Sequence, residues 1–237
     1  MKYALIGYGR MGRAIEAAAA ARGHVCAAVV DRGAKKRGVL RALDDVRWRG
    51  IAVAFEFTHP VSARENVLQA LTHGVSVVCG TTGWDASDPA LRLAARAARS
   101  GAVIAPNFSV GMNLFYAVVT DAARRYLAVD GFDPWVAERH HRAKADVPSG
   151  TALKLAQLVG RDVAIAAVRA GHEPGRHVVG FDGPHDAVTL EHAARGRDGF
   201  AAGAVLAAEW LEGRRGIHGF DEVVDDLVRG ARRKGRR

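Results

Sequence analysis

A glycine-rich segment near the start of the chain restricts the fold more than any other feature. An apolar run at residues 2–6 leads directly into Gly7-Tyr8-Gly9-Arg10-Met11-Gly12, and residues 13–20 have strong helix propensity. In such a strand–turn–helix unit, the first glycine permits the turn, the second lets backbone approach a pyrophosphate, and the third lets helix meet strand. The segment predicts a dinucleotide-binding unit in which Gly7, Gly9 and Gly12 have these three roles.

A second apolar run, residues 25–30, ends at Asp31 and Arg32, about 20 residues beyond the glycines. A carboxylate at this position is suited to hold ribose hydroxyl groups, and the neighbouring guanidinium could face an adenine or a 2′-phosphate. Asp31 could equally be an ordinary turn residue at a strand end. Because an acid and a base lie side by side, we predict that both NADH and NADPH are used.

Short strands and helices alternate through the first 108 residues. Strands are predicted at 2–6, 25–30, 51–57, 75–79 and 102–105, helices at 13–20, 61–72 and 88–100, and a loop with one turn of helix at 33–50. The alternation predicts an α/β fold with a doubly wound parallel sheet, whose ligands lie beyond the carboxyl ends of the strands. Those ends are polar or glycine-rich loops, at 7–12, 31–32, 57–59, 80–82 and 107–108.

The pattern changes after residue 111. Helices are predicted at 112–128, 150–160, 198–211 and 220–229, and strands at 134–139, 163–169, 176–181 and 187–194. Strands grouped with few helices between them indicate a mixed or antiparallel sheet, and hence a second domain of α+β type. We expect a dinucleotide-binding domain at 1–108 plus 216–237, and a second domain at 109–215.

Residues 138–152 concentrate titratable groups just before a helix. His140 and Lys144 lie four apart, and each can carry a proton near neutral pH when its surroundings tune it. His141 and Arg142 add positive charge. Pro148-Ser149-Gly150-Thr151 reads as a loop entering a helix, whose first backbone N–H groups can bind an anion such as a carboxylate.

Simpler interpretations of this stretch remain open. The two histidines could mark a solvated strand end, and the Pro-Ser-Gly-Thr segment could be an ordinary capped helix start. A metal site built from His140, His141 and Asp146 fits no helix or zinc-loop spacing, and we predict no metal.

Charge and composition argue against a nucleic-acid-binding, membrane or secreted protein. The chain of 237 residues carries a formal net charge of +9, much of it in the tail at 229–237. The tail could touch nucleic acid, but we expect a solvated, disordered terminus and no nucleic-acid partner. No uncharged stretch is long enough to span a membrane, no signal peptide is recognisable, and Cys26 and Cys79 lie in apolar runs, so we expect a cytoplasmic protein.

Taken together, these motifs resemble the 4-hydroxy-tetrahydrodipicolinate reductase (dihydrodipicolinate reductase) family nearly end to end. The resemblance rests on residues 7–12, 80–83 (Gly-Thr-Thr-Gly), 105–111 (Ala-Pro-Asn-Phe-Ser-Val-Gly) and above all 138–152. It implies an N-terminal Rossmann domain that binds NADH or NADPH, and a C-terminal domain that binds a small cyclic dicarboxylate and builds a homotetramer around its sheet.

The resemblance also implies roles for particular residues. His140 corresponds to the catalytic proton donor or acceptor, Lys144 to a proton donor, His141 to a substrate contact, and Gly150 and Thr151 to the clamp on a substrate carboxylate. The implied cofactor contacts are Gly7 to Gly12, Asp31, Arg32, Gly80, Thr81, Thr82, Ala105, Pro106, Asn107 and Phe108.

The reaction implied is hydride transfer from the nicotinamide to the heterocycle, with loss of the 4-hydroxyl as water, in lysine and diaminopimelate biosynthesis. The chain departs from the family in a compact glycine loop, in a shortened region between Asp31 and Ile51, and in a bulky Arg139. Two other readings stay open: a related NAD(P)-dependent amino- or imino-acid dehydrogenase, and a nucleotide-sensing or nucleic-acid-binding module that uses the basic tail.

Overall fold

A computed structural model describes residues 1–33, 38–160 and 163–234, with side chains described only to residue 231. The chain divides into two compact units. The first comprises Met1–Val110 with Phe200–Arg237, and the second comprises Gly111–Gly199. The division differs from the expected 109–215 boundary because residues 200–211 pack into the core of the first unit, through Ala201, Ala204, Val205, Ala208 and Leu211.

The first unit is a parallel sheet covered by helices. Its strands are β1 (Lys2–Ile6), β2 (Val25–Val30), β3 (Val53–Glu56), β4 (Ser76–Cys79), β5 (Gly101–Ile104) and β10 (Gly216–His218), in the order β10-β5-β4-β3-β1-β2. Every pairing in this sheet is parallel. Its helices are α1 (Arg10–Ala21), α2 (Pro60–Thr72), α3 (Pro89–Ala98) and α7 (Phe220–Lys234), and most of α6 (Asp198–Trp210) belongs here as well.

Alternating side chains of β1 reach two separate cores. Tyr3 and Leu5 of β1 pack in one core with Ile15 of α1, whereas Ala4 and Ile6 pack in the other with Leu71 of α2. Successive strand residues point to opposite faces, so apolar residues in an unbroken run bury both faces of the sheet. The predicted α/β doubly wound fold is therefore confirmed.

Three details of the first unit differ from the sequence predictions. Strand β10 was not predicted, because three residues containing a glycine and a histidine make no apolar run. Helix α1 begins at Arg10, inside the glycine motif, rather than at Arg13. Helix α7 continues to Lys234, so the basic tail is helical at least to that residue and not disordered from 229; residues 235–237 lie outside the described part. Acidic residues in the first turn of α7 and basic ones later suit the helix dipole.

Of the region predicted as a loop with one turn of helix, the structure describes 33 and 38–50. A short 3₁₀ turn occupies Leu43–Asp45, and a single bridge joins Val30 to Leu40. Residues 34–37 lie outside the description. The prediction holds for the part that is described.

The second unit packs two helices on a mixed sheet. It contains α4 (Val110–Tyr126), β6 (Asp133–His140), α5 (Gly150–Val159), β7 (Ala164–Arg169), β8 (Arg176–Asp182) and β9 (Ala187–Ala193), with the strand order β7-β6-β8-β9. The β6–β7 pair is parallel and the other two pairs are antiparallel, as the grouping of strands predicted. Met112, Phe115, Val136, Leu155 and Phe181 fill its core.

No helix in the described ranges is long and apolar enough to cross a membrane.

Candidate active site

The glycine loop leaves space for an anion at the start of α1. Gly7 has φ +94, and a Cβ there would overlap the carbonyl oxygen of Phe57, while a Cβ on Gly12 would overlap the carbonyl oxygen of Gly7. A Cβ on Gly9, by contrast, would meet no described atom within 4 Å. Within the described part of the chain, no side chain caps this helix start. The loop thus offers an open backbone surface and a helix N-terminus, which fit a pyrophosphate.

Asp31 is fixed at the end of β2 by two backbone amides. The amide of Tyr8 donates to Asp31 Oδ2 at 2.7 Å, and the amide of Gly33 donates to Oδ1 at 2.7 Å. A carboxylate oxygen can accept more than one hydrogen bond, so ribose hydroxyl groups remain acceptable donors. Arg32 is exposed, and its carbonyl accepts a hydrogen bond from the Arg41 guanidinium.

The other predicted cofactor residues lie at the carboxyl ends of β4 and β5. The Thr58 amide donates to Thr81 Oγ1 at 2.8 Å, which ties the loop after β3 to the loop after β4. A Cβ on Gly80 would overlap the Phe57 ring. Residues 80–82 and 105–108 follow neighbouring strands of the sheet, so they lie at one edge with the glycine loop.

The side chain of Phe108, one of the residues predicted to contact the cofactor, is buried in the core. Its side chain is 2% exposed and its ring centroid lies 5.0 Å from that of Phe220. Only its backbone remains for a cofactor, since the ring is committed to the core. Asn107 Oδ1 accepts the Ser109 amide at 2.8 Å and so shapes the same loop.

Sequence reasoning gave no role to Glu56, a carboxylate buried in this half. Glu56 ends β3 and accepts hydrogen bonds from Thr58 Oγ1, from Asn66 Nδ2 at 3.1 Å and from Cys79 Sγ at 3.2 Å. Burial, with the charge of Glu56, raises the pKa of the Cys79 thiol far above its usual value. The signal in the sequence was an acidic residue inside an otherwise apolar strand.

The second unit gathers its polar groups on the helix-facing side of the sheet. Glu138 and His140, two residues apart on β6, are 3% and 5% exposed, and Arg139 between them points to the other face. In register, Glu138 lies opposite His177 of β8 and His140 lies opposite Arg169 of β7. These four side chains therefore share one face.

Glu138 is the centre of this group. Its Oε1 accepts the Ser149 amide at 2.8 Å and the Arg169 guanidinium at 2.7 Å, and its Oε2 accepts the Ser149 hydroxyl. Burial opposes the charged form of Glu138, but the hydrogen bonds from Ser149 and Arg169 outweigh it and hold the pKa of this carboxyl below its usual value. Glu138 is therefore a buried anion at neutral pH.

His140 lies beside this anion. Its Nδ1 is 3.3 Å from Glu138 Oε2, although the pair does not meet hydrogen-bond geometry and Nδ1 has no other partner among the described residues. Burial lowers the pKa of His140, Glu138 offsets part of that shift, and Lys144 and Arg169 lower it further. The His177 ring lies 5.0 Å from the His140 ring, and burial together with His140 lowers the pKa of His177 to about 4.

Lys144 and Asp146 form an ion pair in the loop that follows β6. Lys144 Nζ donates to Asp146 Oδ1 at 2.6 Å, and this contact and the Gly150 amide help to lower the pKa of Asp146 against the opposing effect of burial. The His141 amide donates to the Glu173 carbonyl at 2.8 Å, which leaves the half-exposed imidazole on the loop surface. Arg139 pairs with the Glu173 carboxylate.

The start of α5 is held by a hydroxyl cap. Ser149 is the N-cap residue, and its Oγ accepts the Ala152 amide at 3.2 Å. Gly150 is exposed, a Cβ on it would meet no described atom within 4 Å, and Thr151 is half-buried. The N–H groups of this first turn, close in sequence to Lys144, are of the kind that can bind a carboxylate.

Sequence reasoning placed His140, His141, Lys144, Gly150 and Thr151 in one local segment, and the structure keeps them there. It did not predict that Ser149 binds the Glu138 carboxylate, and it gave no role to Arg169 or His177. The signal for the last two was polar side chains at inward positions of predicted strands, but the strand register that brings them to Glu138 is a tertiary property.

Glu138, His140 and His177 are close enough to share a metal ion, since their ligand atoms lie within 4.8 Å of one another. Both oxygens of Glu138, however, already accept hydrogen bonds, and Arg169 places a positive charge 2.7 Å away. A cation beside a guanidinium would be repelled, so the donor set favours a hydrogen-bonded network over a metal centre.

A parallel α/β unit with a glycine-rich loop at a helix start, followed by a second unit that carries His140 and Lys144 ahead of helix α5, is the arrangement of a two-domain nicotinamide-dependent oxidoreductase. The chain belongs to the dihydrodipicolinate reductase family. Residues 1–108 match the family model described as dihydrodipicolinate reductase, N-terminus, and residues 111–224 match the model described as dihydrodipicolinate reductase, C-terminus.

Individual relatives agree. The 4-hydroxy-tetrahydrodipicolinate reductase of Christiangramia forsetii is 33% identical, with 97% of this chain and 100% of the relative covered. The protein of the same name from Thiobacillus denitrificans is 36% identical, with 91% of this chain and 95% of the relative covered. A solved dipicolinate-bound dihydrodipicolinate reductase from Paenisporosarcina sp. TG-14 shares the fold, with TM-score 0.79, 22% identity and coverage of 94% of this chain and 98% of its own.

Proposed function

We propose that this chain reduces 4-hydroxy-tetrahydrodipicolinate to tetrahydrodipicolinate with NADH or NADPH, in lysine and diaminopimelate biosynthesis. The overall change takes up one hydride and one proton and releases the 4-hydroxyl as water. The observation that carries the proposal is the segment 140–151, where two proton-bearing side chains, His140 and Lys144, precede helix α5, and Glu138 ties the start of that helix to the strand that carries His140. The substrate is a small cyclic dicarboxylate, as the name of the solved relative's ligand suggests.

We assign the chemistry to five residues. His140 donates or accepts a proton, Lys144 donates a proton, and His141 contacts the substrate. The backbone of Gly150 and Thr151 binds one substrate carboxylate, because helix N–H groups and a nearby ammonium stabilise a negative charge. The carboxylate of Asp146, which pairs with Lys144 at 2.6 Å, then gives way to the substrate.

The bound nicotinamide supplies the hydride. The residues assigned to hold the cofactor are Gly7, Tyr8, Gly9, Arg10, Met11, Gly12, Asp31, Arg32, Gly80, Thr81, Thr82, Ala105, Pro106, Asn107 and Phe108. The open backbone at Gly9 supports the placement of the pyrophosphate. The fixed carboxylate of Asp31 beside an exposed Arg32 supports the use of both NADH and NADPH.

The second unit also supports a homotetramer. The face of its sheet opposite the helices presents Trp135, Ala137, Val168 and Val178 together with the charged Arg139, Arg176 and Glu191, and Val168 is 48% exposed. Exposed apolar side chains among charged ones suit association with a second copy. Light scattering is expected to give four times the chain mass of 25.2 kDa, and a monomer would contradict the assignment. We further expect a cytoplasmic location and no nucleic-acid partner.

The test is oxidation of NADH and NADPH, followed at 340 nm, with freshly generated 4-hydroxy-tetrahydrodipicolinate. His140→Ala and Lys144→Ala are compared with His172→Ala and Lys154→Ala, which remove the same side chains at exposed positions. The first pair is expected to lose about 10² to 10⁴ in kcat, and the second pair is expected to keep the parent rate. Turnover of amino or imino acids in place of this substrate would favour a related dehydrogenase.

A further inference from the structure

Glu138 is a buried carboxylate to which the proposed mechanism gives no task. Its side chain is fully buried, yet it holds three strong donors: the amide and hydroxyl of Ser149 and the guanidinium of Arg169. If Glu138 served only to bind Ser149 at the start of α5, no imidazole would be needed beside it. The Nδ1 of His140 nevertheless lies 3.3 Å from its Oε2, and the Nε2 of His177 lies 3.6 Å from the same oxygen.

The environment of His140 is unequal at its two nitrogens. The Nδ1 side faces the anion, whereas the Nε2 side faces Gly175, where a Cβ would lie only 2.9 Å from Nε2. An anion beside one ring nitrogen stabilises a proton on that nitrogen and leaves the other as the acceptor. Arg169 and Ser149 hold Glu138 ionised, so this bias persists at neutral pH.

We propose that Glu138 is a positioning residue that selects the tautomer of His140, keeping Nδ1 protonated so that Nε2 exchanges the proton with the substrate. The proposal rests on the catalytic role proposed for His140. Through Ser149, the same carboxylate fixes the start of α5, so one buried group sets both the imidazole and the helix start that binds the substrate carboxylate. His177 also lies beside the Glu138 carboxylate, but burial keeps its imidazole neutral, so it adds no charge that would compete with His140.

The charged and titratable groups that act on His140 come from several elements. They are Glu138 on β6, Arg169 on β7, His177 on β8, and Lys144 and Asp146 in the loop. Glu138 favours the protonated imidazole, whereas Lys144 and Arg169 oppose it. Replacing Glu138 by Gln removes the favourable charge, so the limb of the pH–rate profile that His140 governs moves to lower pH.

The experiment has a structural and a kinetic part. Imidazole ¹⁵N spectra of the parent protein, assigned by the signals lost in His140→Ala, report which nitrogen of His140 carries the proton. We expect the Nδ1–H form in the parent and its loss in Glu138→Gln. Because this readout in the parent needs no variant of Glu138, it stands even if Glu138→Gln does not fold.

In the kinetic part, Glu138→Gln is expected to lower kcat about 10²-fold, a share of what positioned proton transfer contributes, with little change in the KM for NADPH. Glu138→Asp keeps the charge, and its kcat is expected to lie between those of the parent and Glu138→Gln. The control is Asp121→Asn, which removes an exposed carboxylate that pairs with Arg125 on helix α4 of the same unit. Its kcat and pH profile are expected to match the parent.

Two results would overturn the proposal. One is a bare Nδ1 and a protonated Nε2 in the parent protein. The other is a folded Glu138→Gln variant with the kcat and pH profile of the parent. Failure of the underlying catalytic assignment looks different, because His140→Ala itself would then retain the parent rate whatever tautomer the spectra report.

Discussion

A substitution of Gly9 is expected to separate cofactor binding from folding. Gly9 has φ −76 and ψ −154, which other residues can adopt, and a Cβ there would meet no described atom within 4 Å. Gly9→Ala should therefore leave the free energy of unfolding within about 0.5 kcal/mol of the parent, as for ordinary surface changes. The added methyl group would, however, fill the surface through which the backbone approaches the pyrophosphate.

The cost in affinity can be estimated from the contacts at risk. A hydrogen bond to a charged group contributes about 1.5–3 kcal/mol, and losing one corresponds to a Kd for NADH about 10- to 150-fold higher. Titration of NADH fluorescence measures this directly. Gly12→Ala is the contrasting variant, since its Cβ would overlap the backbone of Gly7 and should lower stability as well. Unchanged affinity in Gly9→Ala would refute the placement of the pyrophosphate.

Three further predictions address the second unit. Lys144→Ala should change stability by less than about 1 kcal/mol, because its ion pair with Asp146 is partly exposed to solvent, yet reduce kcat strongly. Chemical unfolding and steady-state kinetics test both, and a loss of stability large enough to explain the loss of kcat would contradict the catalytic role. Gly175→Ala should lower kcat more than tenfold by displacing the His140 ring, and an unchanged kcat would show that the ring has room. Because the pKa of His177 is lowered to about 4, its contribution is complete above about pH 6.5 and is lost as pH falls towards 4. Urea titrations should show that the free energy of unfolding of the parent falls by an amount of order 3 kcal/mol, from His177, between pH 7 and pH 4.5. The fall should be smaller in His177→Asn. An equal fall in both proteins would show that His177 is not its source.

Much of the fold followed from local sequence signals. The glycine motif and the apolar runs at 2–6, 25–30 and 75–79 fixed a parallel sheet, because an apolar run flanked by turn residues has few alternatives in an α/β chain. Strand β10 escaped detection because its three residues gain their place from pairing with β5 rather than from hydrophobicity. The extension of α7 to Lys234 was not predicted, because a dense run of basic charge is typical of disorder. Arg and Lys are nevertheless good helix formers, and here the helix continues through them.

The site was predictable only where its residues are consecutive. His140, Lys144 and Gly150 occur within one short segment, so their association needed no knowledge of the sheet. Arg169 and His177 reach Glu138 through the register of three strands, and a shift of one residue in either pairing would turn them to the opposite face. Such register depends on packing of the whole unit, which is why the sequence alone does not predict that Arg169 and His177 lie beside Glu138 and His140.

We propose that the segment 140–151 carries out proton transfer to a dicarboxylate that a nicotinamide reduces. The most direct measurement is single-turnover oxidation of NADPH with freshly generated 4-hydroxy-tetrahydrodipicolinate, in the parent, in His140→Ala and in Lys144→Ala. We predict rapid oxidation in the parent and a rate lower by at least about 10²-fold in each variant, with NADPH affinity preserved. Parent-like rates in both variants, or no oxidation by the parent, would contradict the account.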